Sequence, residues 1–553
     1  MEEINEVLNR SLQDLNIFNA SEELRSNLDD SDGINEKNTS IFSVFVCILA
    51  VTLSFILGFE YDRVFNKVKI KIDVKSLLRT IVLTLLLLFL PVLLVLVTIS
   101  LIYKCICLIA IKISDNNFVE FLHSFDVFWS LEDGINKNVI EVLGVIETDC
   151  PYALVDKIKE KISDTIGDDA VAKMFYRRHQ KFGFFYWRKN NNIDVNEYVK
   201  VLKIAHKESL STKDMENIMT DLSSRPLPFS GDGLFEILVT NIEVHNLDDR
   251  VEKYAIIFRI HHSVGDGIAL IELLCKILAD SKGTESLFKA PEIGNLFDHN
   301  LRRDYADIPR NLYKMALSFA DGIIRSSDIN ALHGPSLEGK KLYKWIDTDE
   351  NFLQIVKEIK KLQHVHFSDI LTAALSNGLR EYFMQNMLRI PDKAAVIIPI
   401  RLNSKKSLIL ENNFTVSILD LPLKEDLADI SSSCEELRKS ADPLTNHYLL
   451  KLCSVFPNSI LKTLFNSSQA TMVFSNIPGP SHLSLCGGSL QSLVFFAPNK
   501  GTTGVGVTAL CYGDVLRFAI MADTALVARP DDLSLILEGM VKEIKRLHLD
   551  YLN

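Results

Sequence analysis

The pattern of apolar residues along the chain begins with two long uncharged runs near its start. Residues 41–59, IFSVFVCILAVTLSFILGF, and residues 81–103, IVLTLLLLFLPVLLVLVTISLIY, contain no charged side chain, and the apolar character resumes after Lys104 up to residue 111. A helix needs about 20 apolar residues to cross the hydrocarbon core of a bilayer. The pattern therefore predicts a helical membrane anchor over residues 41–113, with a spanning helix at 41–59 and a second spanning or re-entrant segment at 77–111.

The charges around these runs bear on the topology of the anchor. Residues 1–40 carry ten acidic and three basic side chains, which predicts a disordered acidic tail. The segment between the two runs is basic, and the positive-inside rule places it in the cytoplasm. If residues 81–111 cross the membrane once, the rest of the chain lies on the opposite side. If Pro91 is the hinge of a re-entrant hairpin, the rest of the chain is cytosolic.

Beyond residue 117 the pattern alternates between strand and helix periods, which predicts a mixed α/β body. Two β-rich runs at 234–242 and 254–260 predict a hairpin, and the helical spacing of GIALIELLCKILAD predicts an amphipathic helix over 267–280. A turn-rich segment at 326–345 predicts a linker between an N-terminal lobe, 117–325, and a C-terminal lobe, 346–553. In the second lobe we expect helices at 351–363, 366–383 and 531–552, and strands at 394–400, 414–423, 492–498, 505–512 and 515–523.

Composition limits the classes of function. The chain has 553 residues, of which 47% are apolar and 24% charged, as expected of a folded protein, and its net charge is −11. The negative charge argues against nucleic acid as a partner, since phosphate binding needs a basic surface. The nine cysteines show no spacing typical of metal ligands, so we predict no metal site and expect mostly buried thiols in a reducing compartment.

The stretch HHSVGDG at 261–267 joins the second strand of the predicted hairpin to the following helix. Because side chains alternate at a strand end, His261 and His262 are expected to point to opposite sides. A neutral imidazole can act as a base at a cleft, and Asp266 can brace the loop through its backbone or an arginine. Gly267 leaves room for the backbone at the helix start. The alternative is a polar turn that contains two histidines by chance.

HHSVGDG resembles the HHxxxDG motif of CoA-dependent acyltransferases, and the rest of the chain resembles one branch of them, the wax ester synthase/diacylglycerol acyltransferase family. The resemblance covers roughly residues 120–553. It also rests on SRPL at 224–227, SNIPGP at 475–480, ENNFTVSILDLPL at 411–423 and CYGDVLRFAIMAD at 511–523. The chain departs from the family pattern at Pro228, where an aromatic residue usually follows Pro-Leu, and at Ser368, where Asn precedes Asp369.

The resemblance implies two pseudo-symmetric α/β lobes with a tunnel between them. It implies that His262 is the general base, His261 its support, Asp266 a structural brace and Gly267 a determinant of loop geometry. No acyl-enzyme and no cofactor are implied, only acyl-CoA as co-substrate. The implied oxyanion donors or tunnel residues are Ser368, Asp369, Asn476, Pro478 and Gly479. The residues themselves predict that SNIPGP forms a rigid turn after a strand, with Gly479 permitting a chain reversal.

The implied activity is a membrane-bound O-acyltransferase that esterifies a lipid alcohol. A long-chain fatty alcohol would give a wax ester and diacylglycerol would give triacylglycerol, and the sequence does not choose between them. Alternatives are a non-catalytic lipid-binding or scaffold protein on the same fold and, less favoured, amide formation of the condensation type. Because acyl-CoA is cytosolic, the enzymatic interpretation favours the re-entrant hairpin at Pro91, a cytosolic catalytic body, and the endoplasmic reticulum or plasma membrane as the location.

Overall fold

A computed structural model describes residues 74–245, 251–280, 307–401, 410–465, 468–527 and 529–552. The acidic tail at 1–40 and the spanning helix predicted at 41–59 lie outside the described residues. Among the described residues, one helix is long and apolar enough to cross a membrane by length and composition. This helix, α1, comprises the 41 residues Val74–Ser114 and continues through Pro91.

The hairpin hinge predicted at Pro91 is therefore wrong. Proline lacks the N–H that would bond one turn back, but the carbonyls that it leaves free do not force the chain to reverse. The apolar residues on both sides of Pro91 have high helical propensity, and the helix runs on for more than twenty residues beyond it. The start and the end of the predicted re-entrant segment consequently lie at opposite ends of one helix.

The first large sheet has six strands in the order β12-β13-β2-β7-β6-β5. The predicted hairpin is confirmed, because β6 and β7 pair antiparallel, with Phe235 opposite Ile260. One face of the sheet belongs to an apolar core that includes Ile256 and Phe258, and helices pack on this face. The strands are β2 Val139–Glu147, β5 Val199–Leu202, β6 Phe235–Glu243, β7 Lys253–His261, β12 Ser484–Leu485 and β13 Gly488–Phe496.

The second large sheet also has six strands, in the order β10-β9-β11-β14-β15-β8. The turn predicted at Gly513 joins β14 to β15, which pair antiparallel. The predicted linker at 326–345 is too long, because its last residues begin β8 and pair with β15. The strands are β8 Lys341–Asp347, β9 Lys393–Arg401, β10 Phe414–Pro422, β11 Met472–Pro478, β14 Val505–Tyr512 and β15 Val515–Asp523. A separate small sheet contains β1 Phe118–Phe121, β3 Arg177–Lys181 and β4 Phe184–Arg188.

The helices that follow α1 surround these sheets, and the helices predicted at 267–280, 351–363, 366–383 and 531–552 are confirmed with boundaries that differ by a few residues. They are α2 Ser124–Ser130, α3 Pro151–Asp164, α4 Val195–Tyr198, α5 Thr212–Ser224, α6 Gly267–Ile277, α7 Asp307–Ile324, α8 Phe352–Gln363, α9 Phe367–Gln385, α10 Leu427–Lys439, α11 Asp442–Lys451, α12 Asn458–Phe465 and α13 Pro530–Leu552. The mixed α/β fold predicted from the pattern is thus present.

The C-terminal half contributes two strands to the first sheet, which the predicted boundary at 346–553 does not allow for. Strands β12 and β13 come from the C-terminal half of the chain, yet β13 pairs antiparallel with β2 in the first sheet. Local pattern shows that Gly488–Phe496 forms a strand, but the choice of partner depends on which strand edge is within reach after folding. The two halves are therefore joined by main-chain hydrogen bonds as well as by side chains.

A buried charge cluster also links the two sheets. Arg259 on β7 is fully buried and donates through Nε to Glu141 on β2 at 3.1 Å. Its guanidinium also contacts Glu236 on β6 and donates to the backbone oxygen of Arg225 at 2.7 Å. From the second sheet, the Tyr343 hydroxyl donates to Glu141 at 2.5 Å. Glu141 is the carboxylate that accepts from both sheets.

We expect the substitution Glu141→Ala to lower the free energy of unfolding by about 3 kcal/mol, because it removes one partner of a buried ion pair. Thermal or urea unfolding of the purified protein measures the change. Glu147→Ala, six residues along the same strand, is the matched control; the exposed hydrogen bond of Glu147 to Gln491 predicts a change of at most about 0.5 kcal/mol. Equal losses for the two variants would contradict the role of the cluster.

Candidate active site

The predicted loop connects the end of β7 at His261 to the start of α6 at Gly267. Asp266 caps α6, since its carboxylate accepts from the backbone N–H groups of Ile268 and Ala269 at 3.1 and 3.0 Å. The same carboxylate accepts from the backbone N–H of Asn413 at 2.9 Å, just before β10 of the second sheet. Asp266 therefore ties the histidine loop to its own helix and to the other half of the molecule.

His262 is held by a second residue at the same entrance to β10. The Nδ2 group of Asn412 donates to the backbone oxygen of His262 at 2.8 Å and to Asp126 at 2.9 Å. This orientation turns Oδ1 of Asn412 toward the imidazole, where it lies 3.0 Å from Nδ1 of His262. An amide oxygen only accepts, so Nδ1 carries the proton and Nε2 has a free lone pair. Within the described parts of the chain, no protein group bonds to Nε2.

The ring of Trp129 on α2 covers one face of this histidine. The two ring centroids are 3.9 Å apart and the planes differ by 8°, so the rings are stacked. Burial lowers the pKa of His262 to about 3, which keeps the imidazole neutral at physiological pH. Asp126, which fixes Asn412, is itself paired with Lys173 at 2.7 Å. The base, its orienting amide and the charged pair behind the amide form one continuous buried cluster.

His261 points to a different set of partners, as the alternation of side chains predicts. The backbone N–H of Ser263 donates to Nδ1 of His261 at 3.1 Å, while Nε2 lies 3.0 Å from the Glu132 carboxylate and 2.7 Å from the guanidinium of Arg178. Burial and the nearby guanidinium of Arg178 lower the pKa of His261 to about 4. Burial alone would raise the pKa of Glu132, but the contacts with His261 and Arg178 lower it to about 2. His261 therefore holds the loop in place through the Glu132 carboxylate, and its geometry is not that of a second catalytic base.

SNIPGP is mostly strand, which corrects the turn predicted for it. Strand β11 extends through Pro478 and pairs parallel with β14, and the side chains of Asn476 and Pro478 are exposed on it. A Cβ on Gly479 would lie 1.9 Å from the backbone oxygen of Cys511, so this glycine permits a close approach of two strands rather than a reversal. Gly267 has a similar role, because a Cβ there would lie 2.4 Å from Cδ1 of Ile477.

Ser368 and Asp369 lie in a cluster with different partners. Asp369 is fully buried and forms a bidentate pair with Arg438 on α10 at 2.7 and 3.0 Å, and it also accepts from Ser431. The Ser368 hydroxyl lies 3.4 Å from the Asp369 carboxylate. These contacts join α9 to α10, and none of them involves His262. The pair predicted to supply an oxyanion donor thus has a described role in holding two helices together.

An apolar cavity begins next to the histidine loop. It lies between α6 and one face of the first sheet and is partly open to solvent. Gly267 and Leu274 line it from the helix, Phe258 from the sheet, and Ile477 and Leu510 from the second sheet. Every lining side chain is apolar, so the cavity suits a hydrocarbon chain. A tunnel between the lobes stays a prediction, whereas this cavity belongs mainly to the first sheet.

The sequence interpretation missed Asn412, Trp129 and the Glu132–Arg178 pair. The sequence interpretation used ENNF only as part of a segment that resembles a strand of the family. Two consecutive asparagines directly before a buried strand also indicate that polar contacts form where the strand begins. Trp129 lies about 130 residues before His262, and no periodic pattern connects the two positions. These residues meet because α2 and the start of β10 both pack against the loop.

The fold and the sequence have recognisable relatives. Residues 410–547 match the family model of the WS/DGAT C-terminal domain. A probable diacylglycerol O-acyltransferase of Mycobacterium tuberculosis is 22% identical over 387 residues, which are 65% of this chain and 81% of the relative. The O-acyltransferase WSD of Acinetobacter baylyi is 21% identical over 462 residues, which are 76% and 96% of the two chains. The wax ester synthase/diacylglycerol acyltransferase from Marinobacter aquaeolei superposes with a TM-score of 0.53 at 16% identity, covering 78% of this chain and 100% of the other.

The low pKa of His262 predicts a pH dependence of stability. An unfolded histidine binds a proton below pH about 6.5, while His262 in the folded protein stays neutral down to about pH 3. Its contribution is therefore present above pH about 6.5 and is lost as the pH falls below that value. We expect His262→Gln to reduce the slope of unfolding free energy between pH 6 and pH 4 by about 1.4 kcal/mol per pH unit. Denaturant unfolding across this pH range measures the slope.

The control for this measurement is His245→Gln, which replaces an exposed histidine and should keep the parent slope. A His262→Gln variant whose slope equals that of the parent would mean that His262 titrates normally in the folded protein. The comparison uses slopes rather than absolute stabilities, so a general destabilisation by the substitution does not affect it.

Proposed function

Because the chain belongs to the wax ester synthase/diacylglycerol acyltransferase family, we propose that it is an acyl-CoA-dependent O-acyltransferase that esterifies a lipid alcohol by general-base catalysis. The observation that carries the proposal is the tautomer of His262: Asn412 holds Nδ1 at 3.0 Å, and Nε2 is left as a base. The reaction also requires a site for a long acyl chain. The apolar cavity provides such a site, and it begins at Gly267, five residues after His262.

The reaction follows from this arrangement. Nε2 of His262 accepts the proton of the alcohol as its oxygen attacks the thioester carbonyl, and the C–O bond of the ester forms. When the tetrahedral intermediate collapses, the C–S bond breaks and His262 returns the proton to the sulfur of CoA. The imidazolium that exists between these steps is stabilised by Oδ1 of Asn412 and by the face of Trp129, which attracts a cation. No acyl-enzyme is required.

The acceptor is a hydroxyl on a lipid, either a long-chain fatty alcohol or diacylglycerol. The names of the relatives include both chemistries, and both acceptors present the same reacting group to His262. Acyl-CoA is the co-substrate, and the chemistry needs no further cofactor. Because acyl-CoA is cytosolic, the proposed reaction places the catalytic body on the cytosolic side of a membrane.

The activity can be tested with membranes that contain the full chain, labelled palmitoyl-CoA, and a panel of acceptors consisting of hexadecanol, diacylglycerol and a primary amine. We expect labelled ester from at least one alcohol. His262→Ala should lower the rate by at least about 100-fold, since a positioned base contributes about 10²–10⁴. Asn412→Ala should lower kcat with little change in KM, because the imidazole remains but its tautomer is no longer set.

The exposed His245→Ala variant is the matched control and should retain full activity. Ester synthesis that is unchanged in His262→Ala would refute the base. The absence of ester from every alcohol would refute the enzymatic function, and would favour a lipid-binding protein if the parent still binds acyl-CoA. Product from the amine alone would indicate amide formation.

The cavity predicts control over acyl-chain length. Leu274→Trp on α6 places a larger side chain in the cavity, so we expect kcat/KM to shift from palmitoyl-CoA toward shorter acyl-CoA substrates. Each methylene that no longer fits costs about 0.8 kcal/mol, or about fourfold. Competition between acyl-CoA substrates of different length measures the shift. Lys276→Phe, on the exposed side of the same helix, should leave the preference unchanged; an equal shift in that variant would disconnect the cavity from the acyl chain.

A further inference from the structure

Helix α1 presents an unbroken apolar face to its surroundings. Along this face the exposed side chains recur every three or four residues from Leu77 to Ile113, and Leu88 and Phe89 are 67% and 57% exposed. From Ile81 to Ile111 the only charged residue is Lys104, and that side chain is buried against the body. An apolar surface of this length is far larger than those that soluble proteins leave in water.

The opposite face of α1 contacts the body near both ends of the helix, with Leu83 buried near its start and further side chains buried between Ser100 and Ile111. Near its start Arg79 forms a bidentate pair with Asp321 on α7, with both distances 2.6 Å. Further along, the Ser100 hydroxyl donates to the backbone oxygen of Val455 at 2.7 Å. Near its end Ile111 is completely buried. Helix α7 is in turn fixed to α11, since Ser318 donates to Asp442 at 2.6 Å.

These contacts are incompatible with a simple crossing. Arg79 and Ile111 are about 48 Å apart along the helix, at 1.5 Å per residue, whereas the hydrocarbon core is about 30 Å thick. The stretch between Arg79 and Ser100 is about 32 Å long and matches the core, but the elements that connect these two contacts, α7 and α11, would then lie in the lipid as well. We propose that α1 does not cross the bilayer but lies in the plane of one leaflet, with its exposed face in the lipid and the body attached along its side.

The polar groups on the exposed face support lipid as its occupant. The hydroxyls of Thr80, Thr84 and Thr98 donate to backbone oxygens of Ser76, Thr80 and Leu94 in the preceding turn, at 2.8–2.9 Å. Each hydroxyl proton is thus used within the helix and needs no water. Lys75 and Lys112 are the charged residues that bracket this face, at positions where ammonium groups can reach lipid phosphates.

Elements next to α1 carry further exposed apolar residues. The Tyr103 hydroxyl donates to the backbone oxygen of Phe182, an exposed aromatic residue at the tip of the β3–β4 hairpin. The next residue, Gly183, accepts from the backbone N–H of Asn458 at the start of α12. Helix α12 exposes Ile460 and Leu464, which are 49% and 66% accessible. The exposed apolar residues of α1, the hairpin tip and α12 therefore lie on adjoining elements.

This face is also close to the histidine. Phe465 at the end of α12 contacts Phe128 at 5.2 Å between ring centroids, Phe128 contacts Trp129 at 5.2 Å, and Trp129 stacks on His262. If the proposed function holds, a lipid alcohol in the leaflet has a short route to the base past these rings. The in-plane orientation itself does not depend on catalysis. It also leaves the body on the same side of the membrane as the basic segment before α1.

The orientation can be tested by the depth of spin labels on the exposed face. Single cysteines replace Leu85, Val92, Ile99 and Ile106, which are seven residues apart, in the full chain from which the native cysteines have been removed and which is reconstituted in phosphatidylcholine–phosphatidylserine vesicles. We expect all four labels to collide with oxygen more than with a water-soluble nickel complex, at depths within about 5 Å of each other. A label at the exposed Met387 of the body should show the reverse preference.

A spanning helix would instead place the labels at 92 and 99 roughly 10 Å deeper than those at 85 and 106, because seven residues of helix rise about 10 Å. That profile would overturn the proposal, as would four labels shielded from both oxygen and nickel, which would indicate a protein segment or a second copy on this face. Lys75→Cys and Lys112→Cys provide a second readout in sealed vesicles. An impermeant maleimide should label both positions from the same side, and labelling from opposite sides would refute the in-plane orientation. Neither readout depends on ester synthesis.

Discussion

The candidate site depends on the hydrogen bonds between the histidine loop and the entrance to β10. Asn412 holds the ring and the backbone of His262, and the backbone of Asn413 donates to Asp266. The loop belongs to the first sheet and the two asparagines to the second. Because the bonds of Asn412 are buried, its polar groups have the protein as their only partner, and loss of one bond leaves an unpaired group in a medium of low dielectric constant. The relative position of the two sheets therefore determines the geometry of the base.

Other links between the halves maintain that position. Strand β13 completes the first sheet with residues from the C-terminal half, and Glu141 accepts hydrogen bonds from both sheets. Gly479 permits a backbone contact with β14 that any side chain would block, and at Gly267 the absence of a side chain leaves space for the end of Ile477 on β11. Ile477 consequently reaches the wall of the apolar cavity. The cavity, the position of the base and the pairing of β13 with β2 all accompany the close packing of the two sheets.

The parts of the structure that could be predicted are those that local chemistry decides. The hairpin of β6 and β7 follows from the alternating strand pattern and the turn residues, and the helix after Gly267 follows from its helical spacing of apolar residues. The cap at Asp266 follows because the first backbone N–H groups of a helix need a hydrogen-bond acceptor. The expectation of opposite orientations for His261 and His262 agrees with their different partners. Predictions that required knowledge of distant neighbours were less accurate. Gly479 was assigned to a reversal because its contact with Cys511 cannot be read from adjacent residues.

The sequence by itself determined where the apolar segments, strands and helices lie and which loop carries the candidate base, because these properties depend on residues within a few positions of one another. Only the tertiary structure decided that α1 continues through Pro91 with one face on the body, that β13 joins the first sheet, and that Asn412 is the partner of His262. Each of these outcomes is a choice among partners far apart in the chain. That choice is made by packing and by the satisfaction of buried polar groups, and neither can be read along the chain.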